Sequence, residues 1–197
     1  MDIDARSKPL EIFEHWMDEA RKVADIREPT AMAIATVSGE GDVHQRVVLC
    51  KSWSEDGFVF YSNYNSRKGR DLGANPHIGA VFYWDPMFRQ VKITGVAEKT
   101  SRADSEAYWA SRPRASQLSQ YVSRQSEPCE SREALERAWR EAETRFHGHQ
   151  IPCPEHWGGY LLRTQQIEFW MGRENRLHDA YSFEKAAAGW TFRRLYP

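Results

Sequence analysis

Five short apolar runs between residues 31 and 98, AMAIATV, QRVVLCKSW, GFVFYS, IGAVFYW and RQVKITGVAE, constrain this chain more than any other feature in it. Most are joined by a few residues rich in Gly, Asn, Asp or Pro, and SGEGD and SEDG read as hairpin connections. A parallel pair needs a crossover of a dozen or more residues, so connections this short call for antiparallel neighbours in a meander or barrel. Within the fifth run Val91 and Ile93 alternate with Gln90, Lys92 and Thr94, which predicts one packed face and one that is solvated or lines a site. Gln90 and Lys92 share that second face.

Helices are predicted around these strands. From Pro9 to Asp25 the residues Leu10, Phe13, Trp16, Met17, Ala20 and Val23 fall on one helical face. SRADSEAYWASRP and SREALERAWREAETRF each open on a serine able to cap, with acidic residues near the first turn. GGYLLRTQQIEFWMG and GWTFRRLYP close the chain as strands. The expected class is α+β, a mainly antiparallel barrel with peripheral helices. At 197 residues, one domain accommodates it, and no linker divides the chain.

Charge and composition exclude several functions. With 27 basic and 28 acidic residues, no global field recruits nucleic acid or an anionic membrane. No apolar stretch approaches the ~20 residues of a membrane span. The acidic, polar opening MDIDARSKPLE lacks the apolar core of a secretory signal. Three widely spaced cysteines, Cys50, Cys129 and Cys153, fit free thiols in a reducing cytoplasm.

Several segments could carry chemistry. In NYNSRKGRDLGANP, Ser66 can cap a short helix whose free N–H groups, with Arg67 and Lys68, suit a phosphate; the alternative is a solvated basic face. HQRVVLCK puts Arg46, Val48 and Cys50 on one side of a strand and Val47, Leu49 and Lys51 on the other. In AYWASRPRASQ, Tyr108 and Arg112 are i and i+4 on a helix that Pro113 ends, with Ser116 just beyond, a group suited to a second phosphate. SRQSEP contributes a polar run with Gln125 and Ser126. In IEFWMGRENRLHD, Arg176 and His178 share a direction shortly after Trp170 and could position a heteroaromatic ring. HGHQIPCPEH offers His147, His149, Cys153 and His156, but without a zinc-finger spacing it reads as a polar connection and no metal is expected.

Taken together, QRVVLCK, FYSNYNSRKGRDLGANP, RQVKITG, YWASRPRASQ, SRQSEP, HWGGY, IEFWMGRENRLHD and GWTFRRLYP resemble, in order, the pyridoxine/pyridoxamine 5′-phosphate oxidases. The resemblance covers about residues 10 to 197. It implies an FMN-binding split barrel over residues 1–197, with a C-terminal dimerisation segment at about 157–197, and a cytoplasmic homodimer with its flavin sites at the subunit interface. It further implies that Arg46, Val47, Val48, Leu49, Lys51, Tyr61, Ser62, Arg67, Lys68, Gln90, Gln125, Ser126 and Trp170 line the FMN site. Lys51, Tyr108, Arg112 and Ser116 would hold the substrate phosphate, and Arg176 and His178 would face the pyridine ring as catalytic residues. The implied reaction oxidises pyridoxine or pyridoxamine 5′-phosphate to pyridoxal 5′-phosphate, with O2 as acceptor.

Two departures carry expectations of their own. The family's usual arginine two residues after the histidine is Ala180 here, which implies weaker FMN retention. The first helix begins close to residue 1, which implies a shorter N-terminal arm over the substrate. Related readings are a phenazine-biosynthesis-type oxidase acting on a dihydrophenazine and a flavin-binding module without oxidase activity. The presence of Lys51, Arg112 and Ser116 favours a phosphorylated substrate over the first of these.

Overall fold

The computed structural model describes residues 3–197. Helix α1 (Pro9–Ala20) leads into three strands, β1 (Ala31–Val37), β2 (Val43–Ser54) and β3 (Gly57–Asn63), followed by the short α2 (Arg67–Ala74). Strands β4 (His77–Trp84) and β5 (Arg89–Lys99) come next, then three helices, α3 (Arg102–Ser111), α4 (Arg114–Val122) and α5 (Arg132–Arg145). The long β6 (Trp157–Met171), β7 (Asp179–Ala186) and β8 (Gly189–Leu195) complete the chain.

Every strand pairing is antiparallel, and the order β3-β2-β1-β4-β5-β6 closes on itself because β6 returns to β3. Six strands therefore form a closed barrel. The split arises in β6: its residues Trp157–Arg163 pair with β3, and Gln166–Met171 pair with β7 along the same edge, while β5 covers the other edge. A bulge in β6 opposite Thr94 and Gly95, with Gln165 as the extra residue, accompanies this bend. Gly95 is needed there, since a Cβ would lie 1.9 Å from the Arg163 carbonyl oxygen.

The core is built from alternate residues of the strands, as Val91 and Ile93 led one to expect for β5. Met32 and Ile34 of β1, Phe58 and Phe60 of β3, Phe82 of β4 and Val91 and Ile93 of β5 all point into the barrel. Helix α1 seals one end with Ile12, Phe13, Trp16, Met17 and Ala20. Phe13, fully buried, packs edge-on against Phe58 at 4.8 Å and Trp53 at 5.2 Å. Burying each such side chain contributes roughly 1.5–3 kcal/mol. A second, smaller core under the helices gathers Trp109, Leu118, Ala142, Phe146, Ile151 and Trp157.

Three elements differ from the sequence expectation. Helix α1 stops at Ala20 and continues to residue 25 as turns. Pro113 does end α3, but it also sits at the N-cap of α4, where a fixed φ and a missing N–H cost nothing. Strand β7 was not expected: Tyr181 and Phe183 face the core, but Asp179, Ser182 and Glu184 break the apolar pattern. Ser182 is buried and accepts a hydrogen bond from Gln166 Nε2 at 3.0 Å, which is how a polar residue is tolerated there.

Candidate active site

A cavity of about 770 Å3 opens beside β2, β3 and the α3–α4 corner. Its floor is built where β3 turns into α2. Ser66 caps α2, accepting the Gly69 N–H at 3.4 Å and donating to the Asn63 carbonyl at 2.7 Å. Gly69 permits the turn: a Cβ would stand 2.0 Å from the Tyr64 carbonyl oxygen. Lys68 is buried, and its ammonium donates to Ser62 Oγ at 2.9 Å, Ser66 Oγ at 3.2 Å and Gln125 Oε1 at 2.9 Å. None of these acceptors is charged. Burial, then the neighbouring Arg46 cation, pull its pKa down to about 8.

Arg46 approaches from β2. It donates to Thr36 Oγ1 at 2.7 Å and lies 3.7 Å from Asp71 Oδ2. Burial lowers its pKa, against the pull of Asp71 and in the same sense as Arg67. Asp71, on α2, also accepts from Thr36 Oγ1 at 2.6 Å and meets His44 Nδ1 at 3.0 Å. Burial alone would raise its carboxyl, yet these hydrogen bonds and the Arg46 charge hold it below the usual range.

Another cation, Arg112, lines the same cavity. Arg112 stacks over Trp157 at 4.9 Å and Trp109 at 5.6 Å, and its Nη1 is buried with no hydrogen-bond partner. An unpaired buried guanidinium nitrogen is costly and awaits an acceptor. Tyr108 stacks on Tyr61 at 3.9 Å, and Tyr61 on Trp157 at 5.4 Å, so an aromatic column walls this side. Lys51 reaches the cavity from the bulge between Cys50 and Ser52.

Of the residues named from the sequence, Arg46, Val47, Val48, Leu49, Lys51, Tyr61, Ser62, Arg67, Lys68, Tyr108, Arg112, Gln125 and Ser126 line this one cavity. Val43, His44, Gln45, Gln120 and Trp157 line it too and were not anticipated. For His44 the signal was available, since it alternates with Arg46 on one strand. Ser116 is half-buried in the first turn of α4, outside the lining.

Gln90, Trp170, Arg176 and His178 fall outside the cavity as well. Gln90 and Trp170 are register partners on β5 and β6, and the His178 ring lies 4.7 Å from that of Trp170. His178 Nδ1 accepts the Arg173 N–H at 3.0 Å, so a neutral ring carries its proton on Nε2. Arg176 follows Asn175, both with positive φ, at 60° and 55°. Non-glycine residues in this region store backbone strain. Ala180, the register partner of Trp170 on β7, is buried. Among the described residues no group of three or more His, Cys, Asp or Glu side chains is placed to hold a metal, the 147–156 segment included. Among the described residues no helix is long and apolar enough to cross a membrane.

A closed six-strand barrel with five cationic side chains lining one cavity defines the class: a split-barrel protein with a cationic cavity. Comparison with known proteins then narrows it. Residues 17–146 match the family model described as pyridoxamine 5′-phosphate oxidase, and residues 157–197 match the pyridoxine 5′-phosphate oxidase C-terminal dimerisation region. The chain is 49% identical over 189 residues to the pyridoxine/pyridoxamine 5′-phosphate oxidase of Rubrobacter xylanophilus, covering 96% of this chain and 87% of that one. It is 47% identical over 194 residues to the enzyme of the same name from Bordetella pertussis, covering 98% and 91%. Among solved structures, PhzG from Burkholderia lata 383, in complex with tetrahydrophenazine-1-carboxylic acid, superposes with a TM-score of 0.92 at 30% identity, covering 98% and 95%. The chain belongs to the pyridoxamine 5′-phosphate oxidase family, a family of oxidoreductases.

Proposed function

We propose that the protein is an FMN-dependent oxidase converting pyridoxine 5′-phosphate or pyridoxamine 5′-phosphate to pyridoxal 5′-phosphate. Dioxygen is the electron acceptor, and hydrogen peroxide, with ammonia from the amine, is released. The observation that carries this reading is that five cations line one cavity: Arg46, Arg67 and Lys68, which act on one another electrostatically, and besides them Lys51 and Arg112. Two phosphates are called for, one on the cofactor and one on the substrate. The residues fit both: a buried ammonium with only neutral partners suits the FMN phosphate, and the partnerless Arg112 Nη1 suits the substrate's.

When bound, FMN supplies the redox chemistry by accepting a hydride equivalent. The chain supplies placement. Arg46, Arg67, Lys68, Ser62, Gln125 and Ser126 anchor the cofactor phosphate, and Val47, Val48, Leu49 and Tyr61 line the remainder of that site. Lys51, Tyr108, Arg112 and Ser116 hold the substrate phosphate, and stacking on Trp157 keeps the Arg112 fork in one orientation.

Gln90, Trp170, Arg176 and His178 complete the site from a second copy of the chain, so the working unit is a homodimer and residues 157–197 belong to the single FMN-binding domain as its dimerisation segment. The match to a dimerisation region supports this, as do exposed Val43, Val47, Phe88 and Leu177, apolar side chains that a second copy would cover. From there His178 and Arg176 face the substrate ring. Three unpaired cysteines agree with a cytoplasmic setting.

A phenazine-type substrate is the second reading, favoured by the superposition on PhzG. A substrate without phosphate leaves Lys51 and Arg112 without a role. The deciding experiment is anaerobic mixing of FMN-loaded protein with either B6 phosphate. Bleaching of the oxidised-flavin band, with pyridoxal 5′-phosphate formed and colour restored by air, supports the proposal. A band that persists with both B6 phosphates and bleaches with a dihydrophenazine transfers the assignment to the second reading.

A further inference from the structure

We infer that His44, held on Asp71, is a further ligand of the cofactor phosphate. This rests on the FMN reading above. His44 and Arg46 are two residues apart on β2 and both line the cavity, so the imidazole stands beside a guanidinium already assigned to the phosphate. Asp71 Oδ2 is the point on which the arrangement turns: it receives Thr36 Oγ1 at 2.6 Å, His44 Nδ1 at 3.0 Å and, more loosely, Arg46 Nη2 at 3.7 Å. Thr36 is fully enclosed and Asp71 nearly so, which fixes the carboxylate between β1, β2 and α2.

That geometry settles the roles of the two ring nitrogens. Nδ1 faces a carboxylate and therefore carries a hydrogen, which leaves Nε2, without a protein partner among the described residues, for a ligand in the cavity. An imidazolium donates from both nitrogens, one to Asp71 and the other to a phosphate oxygen. Asp71 is a positioning residue: it orients His44 and Arg46 together and offsets part of the repulsion among Arg46, Arg67 and Lys68. The contact is to phosphate and not to the isoalloxazine, because His44 is grouped with the cations at the α2 end of β2 and not with the Tyr61–Tyr108–Trp157 column.

Riboflavin, which has the same ring and ribityl chain but no phosphate, separates this role from a structural one. Apo-protein is titrated with FMN and with riboflavin, following the quenching of flavin fluorescence, for the wild type, His44→Ala, His44→Gln, Asp71→Asn and the His44→Ala/Asp71→Asn double variant. The expected result is an FMN Kd raised roughly 10- to 100-fold in His44→Ala, as for loss of a charge-assisted bond, with the riboflavin Kd unmoved. His44→Gln, which keeps a bond to Asp71, falls between, and Asp71→Asn has a smaller effect once His44 is gone. An unchanged FMN Kd in both His44 variants overturns the inference, and so does an equal loss for FMN and riboflavin, which marks a structural residue. A wild type that binds neither flavin refutes the FMN reading itself, a failure recognisable before any variant is made.

Discussion

Replacing Lys68 by methionine is expected to stabilise the empty protein while weakening its hold on FMN. The ammonium is buried among Ser62, Ser66 and Gln125 with no carboxylate on it, and its pKa stands near 8 against 10.5 for a free lysine. At 1.36 kcal/mol per unit, keeping it charged in the folded state below pH 8 costs at most about 3 kcal/mol. A lowered lysine pKa means that the unfolded chain binds more protons between pH 8 and 10.5. Wild-type apo-protein therefore gains stability as pH rises through that window, and below it the whole penalty is present. Lys68→Met removes the penalty but deprives three oxygens of a donor, so a net gain of about 1–2 kcal/mol is expected at pH 7, or roughly 2–8 °C in Tm for a chain of this size. Loss of a charged donor to phosphate should raise the FMN Kd roughly 10- to 100-fold. The assays are thermal melting of apo-protein from pH 6 to 10 and FMN titration over the same range. Wild-type affinity should fall as pH rises above about 8, where the empty site no longer holds its proton, and the variant should lack that slope. A variant less stable than wild type at pH 7, or one that keeps wild-type FMN affinity, refutes the reasoning.

Arg112→Ala should raise KM for pyridoxamine 5′-phosphate at least ~10-fold and leave the FMN Kd unchanged, since the guanidinium stacks on Trp157 and its Nη1 has no partner in the Lys68 cradle; a parallel loss of FMN would merge the two anion sites into one. Ala180→Arg should tighten FMN by roughly 1.5–3 kcal/mol by returning a charge-assisted contact beside Trp170, and an unchanged Kd in fluorescence titration would mean that another group already fills that role. Gly69→Ala, in contrast to most glycine-to-alanine changes inside helices, should destabilise by more than ~1 kcal/mol and loosen FMN, because its Cβ would meet the Tyr64 carbonyl at 2.0 Å; a raised Tm would contradict that contact.

What the sequence made legible was whatever repeats at short range. Strand β1 coincides with AMAIATV because six of its seven residues are apolar in one short run, and the serine caps of α3 and α5 fall at Ser101 and Ser131, the serines that open those segments. Helix α4 escaped because a proline that stops one helix is equally able to start the next. Strand β7 escaped because Ser182 is satisfied by Gln166, sixteen residues away in the chain, a partner that no local pattern announces. The same limit governs the site. Lys68 and Gln125 meet across 57 positions, two residues that only the ordered resemblance to a family assigned to one flavin site, and Tyr61 stacks on Tyr108, a contact that nothing in the sequence announced.

That resemblance could not say which of its residues one chain gathers, and here strand geometry decides. Trp157 walls the cavity and Trp170 heads the outlying cluster, yet both belong to β6. At ~3.3 Å per residue the thirteen steps between them span on the order of 40 Å, several times the length of any side chain. The bulge opposite Thr94 and Gly95 bends the strand, but β6 stays hydrogen-bonded to β5 on both sides of it, so it cannot fold back on itself. If Trp157 and Trp170 serve one flavin, they must come from two molecules. An extended strand that carries both halves of a site at its two ends is thus an argument for a dimer with paired sites, each copy giving its Trp170 end to the other's cavity.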